Sequence, residues 1–343
     1  MTRDELLGLR LSRQNLTAPA DGPTICRNLN GVQAQFLSHA RHALIIRGAA
    51  QADWQKDLVK SWTLRGTMHL FRTEDLPLYL HRGRRRNLRP CDTLEGDAWI
   101  SQERKAYFAQ AILDRLGQGI QAREDLKAAC FTLGMTQTES QSVFDSWGGT
   151  IRALAESGKL LHQVQEKKAF RLCPPFIPME REPACKEMLR RYFSGCGPAS
   201  LRDASYFFGV PQTEIQQYMG DLPLRTVTVE GTTYFHIGEE VNRGIPDCIF
   251  LAGFDPMLLS YEKYTNFCLP AECLRGIFTL SGIVLPSVLL RGKVVGKWKR
   301  ERRRISIELL RPVSEAERAI LAGAAEESWP DCVIQVKKWD DSP

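Results

Sequence analysis

Residues 200–215 read Ser-Leu-Arg-Asp-Ala-Ser-Tyr-Phe-Phe-Gly-Val-Pro-Gln-Thr-Glu-Ile, and this stretch decides the fold. A first helix rich in small residues runs into Gly209, which makes a turn, and a second helix opens at Thr213-Glu214. That is the signature of a helix-turn-helix. Ten residues on, Arg225 to His236 alternates with period two around Glu230-Gly231, which predicts two strands joined by a tight turn, a wing. Moving back along the chain by 75 residues repeats the pattern. Leu126, Ala129, Gly134, Gln137, Thr138 and Glu139 fall on Leu201, Ala204, Gly209, Gln212, Thr213 and Glu214. Thr136 to Glu139 reads as a capping box. Gly158-Lys159-Leu160-Leu161 leads into a hairpin that returns through Phe170-Arg171-Leu172.

The N-terminal stretch extends the series. Leu6, Leu7, Leu9 and Leu11 open it, and Trp54 to Lys60 reads as a short helix. Trp62 to Phe71, broken by Gly66, reads as a hairpin, and a helix starting at Glu74 would take Thr73 as its cap. Ala106 to Leu116 is amphipathic, with Ala106, Ala109, Ile112, Leu113 and Leu116 on one side. Beyond Pro246 the texture changes to short apolar runs between Gly and Pro: Ile249–Leu251, Gly253–Pro256, Phe278–Leu280, Ile283–Leu285, Val288–Leu290 and Ile305–Leu309. Lys293 to Arg300 reads as a basic hairpin among them, Ser314 to Glu317 caps a helix over 315–327, and Val333 to Val336 is a last strand. The expected class is α+β: three tandem winged helix-turn-helix subdomains followed by a C-terminal, mostly antiparallel β domain. The expected boundaries are 1–90 (with a basic linker at its end), 91–180, 181–245 and 246–343.

Composition fits this picture. A chain of 343 residues has room for two or three domains, and 43% hydrophobic with 25% charged residues is ordinary for a globular protein. No apolar run is long enough to span a bilayer, and Asp4 and Glu5 stand where a signal peptide needs a basic start. An intracellular, cytoplasmic and nucleoid-associated protein is expected. Ten cysteines occur without C-x-x-C spacing, so they read as reduced thiols rather than zinc ligands; no metal and no cofactor is expected. The net charge of +6 is concentrated in two blocks. His81 to Arg89 holds five arginines, among them Arg84, Arg85 and Arg86. Arg291 to Arg304 holds eight basic residues and one acid, including Lys293, Lys297, Lys299 and Arg300 around Trp298. Such blocks suit phosphate, or else form a solvated charged face.

One further stretch stands out. Gly31-Val32-Gln33-Ala34-Gln35 places two neutral amides around one small apolar residue, ahead of a helical run from Ser38 to Arg47. That run carries Ala40, Ala43 and Leu44 on one face and Ser38 as its expected N-cap. In a helix, residues two apart point about 200° away from each other. In extended chain they point the same way. Gln33 and Gln35 therefore serve one site only if this segment is not helical.

GVQAQ at 31–35, WTLRGTMHL at 62–70, GFDPMLL at 253–259 and GKVVGKWKR at 292–300, in that order, resemble the AlkZ/YcaQ family of tandem winged-helix DNA glycosylases. The resemblance spans about 30–300. AlkZ-type members of that family carry a Q-apolar-Q catalytic motif, and YcaQ-type members have an acid in place of the second Gln, so this chain looks AlkZ-like. The resemblance implies excision of alkylated purines, including the unhooking of interstrand crosslinks. It implies Gln33 and Gln35 as catalytic residues and the basic hairpin as a DNA contact. The expected partner is double-stranded DNA carrying alkylated or crosslinked purines, bound by a monomer with no membrane association.

The chemistry is consistent with neutral amides. An N7-alkylated purine is already cationic and leaves without protonation, so the enzyme needs to stabilise an oxocarbenium-like sugar and position one water. A glutamine offers a carbonyl acceptor and an NH₂ donor for that task. Other residues keep two readings. His39 and His42 are either structural or a base or metal pair. Arg65 contacts DNA or pairs with an acid, and His69 either lines the site or sits in the hairpin. Asp255 is a turn residue or a site residue. Trp298 leans on the minor groove or packs in the sheet. Two rival functions are a non-enzymatic winged-helix regulator, indifferent to Gln33→Ala, and a protein-interaction scaffold without salt-sensitive DNA affinity.

Overall fold

The computed structural model describes residues 1–337; the end of the last expected domain, 338–343, lies outside them. The chain is mixed α+β with mainly antiparallel sheets. It divides into two compact units, residues 57–185 and residues 1–56 with 186 onward.

The larger unit opens with helix Arg3–Arg13, started by a Thr2/Glu5 capping box. Leu6, Leu7, Leu9 and Leu11 are all buried. Each such burial contributes on the order of 2 kcal/mol. Arg10 shares this burial: it reaches Asp203 at 3.1 Å and lies 3.7 Å from the Tyr261 ring centre. Helices Leu201–Phe208 and Gln212–Gln217 form the expected pair. Gly209 ends the first of them in the left-handed region, φ 66° and ψ 36°, where a side chain would be strained. Strands Arg225–Val229 and Thr232–His236 follow, joined through Glu230 and Gly231, both at positive φ. That is the turn a two-residue hairpin needs.

The same unit ends in a five-stranded sheet. Its order is Val333–Lys337, Arg304–Leu309, Lys293–Glu301, Ser287–Leu290, Cys248–Leu251, with only the first pairing parallel. Helix Glu315–Ser328, started by the Ser314/Glu317 capping box, buries Leu321 and Ala325 in the core of this sheet. Three expectations change here. Lys293–Glu301 is one long strand, not a hairpin by itself; its turns lie at 291–292 and 302–303, where Arg291 and Arg302 take positive φ. Gly253–Pro256 is not a strand, because Asp255 caps a short helix, Pro256–Leu259. Phe278–Leu280 and Ile283–Leu285 form no ladder, only a single bridge from Phe278 to Val284 across a tight turn.

The smaller unit carries strands in the order Met68–Arg72, Leu58–Trp62, Leu160–His162, Phe170–Leu172, antiparallel throughout. Helices Gln102–Gly117, Arg123–Thr132, Gln137–Val143 and Thr150–Glu156 build its core around Phe108, Ile112, Leu126 and Leu154. The Thr136/Glu139 capping box is present. Trp54–Lys60 is not helical: Asp57 has φ 61°, and Leu58 enters the strand that pairs with Met68–Arg72. Thr73 is no cap either, but the first residue of a 3₁₀ turn leading into helix Leu76–Tyr79.

Two histidines of this sheet are buried. His69 contacts Thr63 Oγ1 at 2.9 Å, and His162 lies between Trp62 and Phe170. Burial, aided by the charges of Arg65 and Lys60 respectively, pushes both down to about 3. The unfolded chain binds these protons from about pH 6.5 downward and the folded unit does not. Stability is therefore fully present above pH 6.5 and falls toward pH 3, by about 1.4 kcal/mol per pH unit for each histidine. Denaturant titrations at pH 7 and pH 4.5 should differ accordingly, with a shallower fall in His69→Gln; equal stability at the two values would refute it.

No helix among the described residues is long and apolar enough to cross a membrane. The ten cysteines are all thiols, five buried and five half-buried.

Candidate active site

Helix Gly22–Asn28, with Leu29 as its C-cap, is followed by two residues at positive φ, Asn30 and Gly31, which redirect the chain. Asn30 is fastened by its side-chain amide to the Met188 carbonyl at 2.9 Å. Val32 and Gln33 are then extended. With period two, Val32 and Ala34 go into the core, at 1% and 0% exposure. Gln33 and Gln35 therefore turn to the other side, and the Gln33 Nε2 donates to Gln35 Oε1 at 2.8 Å. The condition set by the sequence is met: the segment is not helical, and the two amides meet. Gln33 is 9% exposed while Gln35 is open to solvent. Together they retain one carbonyl and one NH₂ beyond their mutual bond.

The helix after them is Leu37–Ile45, one residue earlier than expected, so Ser38 lies inside it. Phe36 takes the cap position and makes no side-chain cap bond. Leu37, Ala40, Ala43 and Leu44 are its buried face. Just past its end, Arg47 is wholly buried and grips Asp255 with both Nη atoms, at 2.7 and 3.0 Å. Arg47 also donates to the carbonyls of Gln14 and Ala43. Asp255 caps Pro256–Leu259 through the Met257 N–H, so of its two readings the turn residue holds, with a buried ion pair added. Phe254, at φ 56°, stacks on Phe36 with ring centres 5.8 Å apart and planes 16° from parallel. Gly253 passes so close to the His39 ring that a Cβ there would come within 2.9 Å of it.

His39 packs edge-on to Phe36, and burial lowers its basicity. His42 faces the C-terminal sheet instead: it shares a hydrogen bond with the Phe250 carbonyl at 2.8 Å and packs against Trp298 and Trp329. The two do not form a metal pair. Elsewhere, Cys91, Asp92 and Asp145 come together, but Arg89 reaches both carboxylates, at 2.9 and 2.7 Å. A guanidinium thus holds the position a divalent cation would take.

The basic residues divide between the units. In the smaller one, Arg65 sits at φ 55° in the turn between strands Leu58–Trp62 and Met68–Arg72, and His69 is buried beneath it. Arg84 is turned inward onto the Glu156 carboxylate and carbonyl, its pKa lowered by burial to about 10. Arg85 and Arg86 are exposed. In the larger unit, the Lys293 Nζ donates to the Phe267 carbonyl at 2.7 Å, and Lys297 pairs across strands with Glu308 at 2.8 Å. Trp298 donates to the Leu251 carbonyl and packs on Phe250 and Trp329, which is the sheet-packing reading of that residue. Lys299 and Arg300 point outward near the exposed tip Arg302–Arg303–Arg304. Sequence reasoning missed two features: that tip as the end of the hairpin, and the Phe36–Phe254 stack. An aromatic immediately after Q-x-Q, and another inside GFDP, were the available signals.

The model of the DNA glycosylase AlkZ-like family matches residues 26–328. A curated Streptomyces sahachiroi protein, described as an interstrand DNA cross-link repair glycosylase, is 24% identical over 327 residues, covering 86% of this chain and 87% of that one. The solved structure of the Streptomyces sahachiroi DNA glycosylase AlkZ superimposes with a TM-score of 0.75 at 20% identity, covering 98% and 99% of the two chains. With a family match over most of its length, the chain belongs to the AlkZ-like DNA glycosylases.

Proposed function

We propose that this protein is a monofunctional DNA glycosylase that hydrolyses the N-glycosidic bond of N7-alkylated purines, with Gln33 and Gln35 positioning the water. The observation that carries this reading is the Gln33–Gln35 hydrogen bond, 2.8 Å long, between one buried and one exposed amide. Each amide orients the other, so the remaining carbonyl and NH₂ are held in place before substrate arrives. Preorganised dipoles of this kind act on developing charge without reorganisation cost. The carbonyl accepts a hydrogen bond from the attacking water and aligns its lone pair on the sugar carbon, and the water's proton passes to solvent as the C–O bond forms and the cationic base leaves as a neutral one. Because neither amide ionises, the site supplies orientation rather than strong base catalysis, which restricts it to leaving groups that are already cationic.

The crosslink activity in the relative's description extends to this chain as part of the proposal. A base tied to the opposite strand cannot be fully extruded. Gln35, open to solvent, can be reached by a duplex without deep flipping. The helix pair at 201–217 with its hairpin, and the helices at 123–156 with the strands at 160–162 and 170–172, support winged helices at 181–245 and 91–180; a third at 1–90 and a β-rich domain at 246–343 complete the proposed division. The protein would act as a monomer on double-stranded DNA in the cytoplasm, at the nucleoid. Arg85, Arg86, Lys299 and Arg300 are exposed basic residues that would meet phosphates, Lys299 by exchanging its surface pair with Glu301.

The test is a duplex carrying a single N7-methylguanine, incubated with the protein and then heated in alkali to break abasic sites. Strand breaks at the lesion, with none at a uracil placed in the same position, are expected. Intact lesion strands in the presence of bound protein, with a defined crosslink also left intact, would defeat the reading in favour of a non-enzymatic DNA-binding protein.

A further inference from the structure

Phe36 is the anomaly next to the amide pair. It is a large apolar side chain, 49% exposed, adjacent in sequence to Gln35. The ring is not loose. One side of it is backed by Phe254, itself 6% exposed, and its edge meets His39. Phe254 reaches that position from a backbone conformation that bulky residues avoid, φ 56°. Conformations of this kind persist only where the surroundings over-determine them. Here Asp255, locked on Arg47 and on the Met257 N–H, holds one side, and the Phe254 N–H bonds the Val284 carbonyl at 3.1 Å on the other. Gly253 lets the chain pass against His39. A strained residue, a buried ion pair and a close glycine thus converge on presenting a half-exposed ring one residue along the chain from the amide pair.

We infer that the Phe36 ring, stiffened by Phe254, is a stacking shelf for the purine of the damaged nucleotide, and that it selects electron-poor, cationic bases. This rests on the glycosylase reading above. A base stacks on an aromatic side chain without needing its hydrogen-bonding edge, so the shelf works on a lesion whose edges are altered or tied to another strand. The face of a phenyl ring carries negative charge, which attracts a cationic purine more than a neutral one. Burial lowers the basicity of His39, which weakens its repulsion of a cationic base. The amide pair, one residue away along the chain, then meets the sugar of the base that the ring retains. Phe36 is a specificity residue in this account, and Gln33 and Gln35 do the positioning of water.

The experiment compares wild type with Phe36→Leu and Phe36→Trp. Leucine keeps an apolar side chain of similar bulk and removes the π face; tryptophan enlarges the face. Two quantities are read: single-turnover excision of N7-methylguanine, and the affinity ratio between a duplex carrying a 2′-fluorinated, hydrolysis-resistant N7-methylguanine and the same duplex undamaged. The Leu variant should lose about tenfold in both, the size expected for one stacked base. The Trp variant should match or exceed wild type, and all three should bind undamaged duplex equally and melt together. An active wild type with a Leu variant equal to it in rate and ratio overturns the shelf and leaves the glycosylase reading intact. A wild type that neither excises nor prefers the lesion removes the glycosylase reading, and the shelf with it.

Discussion

Gln33→Ala and Gln35→Ala should each lower the single-turnover rate of N7-methylguanine excision by about a hundredfold, the scale seen when one preorganised polar group is removed from a charge-stabilising site. The two losses should not add. Each amide is held by the other through one hydrogen bond, so removing either frees its partner, and the double variant should be little worse than either single one. The variants differ in what else they disturb. Gln35 is exposed, and its truncation should leave the thermal midpoint unchanged. Gln33 is almost buried, and a small loss of stability accompanies its truncation. Gln35→Asp, which places an acid at the second position, should retain more activity than Gln35→Ala, because a carboxylate still accepts from Gln33 and from water. Excision at the wild-type rate by both alanine variants would end the water-positioning role of the pair. DNA affinity measured alongside separates this from lost binding.

The largest effect on stability is expected at Asp255. Asp255→Ala leaves Arg47 charged, wholly buried and without its carboxylate. Breaking a buried pair in this way costs about 3–5 kcal/mol. For a unit of this size each kcal/mol moves the midpoint by about 2–4 °C, so a fall on the order of 10 °C is expected. Replacing both partners, Arg47→Met with Asp255→Leu, should recover much of it, since no charge is then left buried. The recovered protein should still be impaired in excision. Asp255 caps Pro256–Leu259 and fixes the strained Phe254 beside Phe36, and an apolar replacement packs without restoring that cap. A single variant within about 1 kcal/mol of wild type by denaturant titration would show that the carboxylate is not holding Arg47.

The sequence was legible where the cause is local. Capping boxes at Thr136 and Ser314, the turn at Glu230-Gly231 and the left-handed Gly209 each depend on a few adjacent residues, and each forms. The meeting of Gln33 and Gln35 was legible too, because period two is a property of extended chain and Val32 and Ala34 mark the buried side. What failed depends on distant partners. Leu58–Trp62 contains Lys60 and Ser61, which interrupt any apolar pattern, and its strand exists because Met68–Arg72 lies alongside. Trp298 sits among lysines in sequence, yet its ring is placed by Phe250 and Trp329, one far back in the chain and one after the last helix. Arg84, the first of three consecutive arginines, is turned inward by Glu156, which nothing near residue 84 announces.

Burial of three of the thiols has a chemical consequence as well as a structural one. Burial pushes Cys196 up to about 11 and Cys248 and Cys268 up to about 12. The thiolate is the reactive form. At neutral pH a thiol with a value of 11 is ionised in about one molecule in ten thousand, against a few in a hundred for an ordinary cysteine. Electrophiles that alkylate guanine attack thiolates as well. Where such a compound is present, these three thiols are weak nucleophiles toward it, and their alkylation by the agent whose lesions the protein would remove is correspondingly slow.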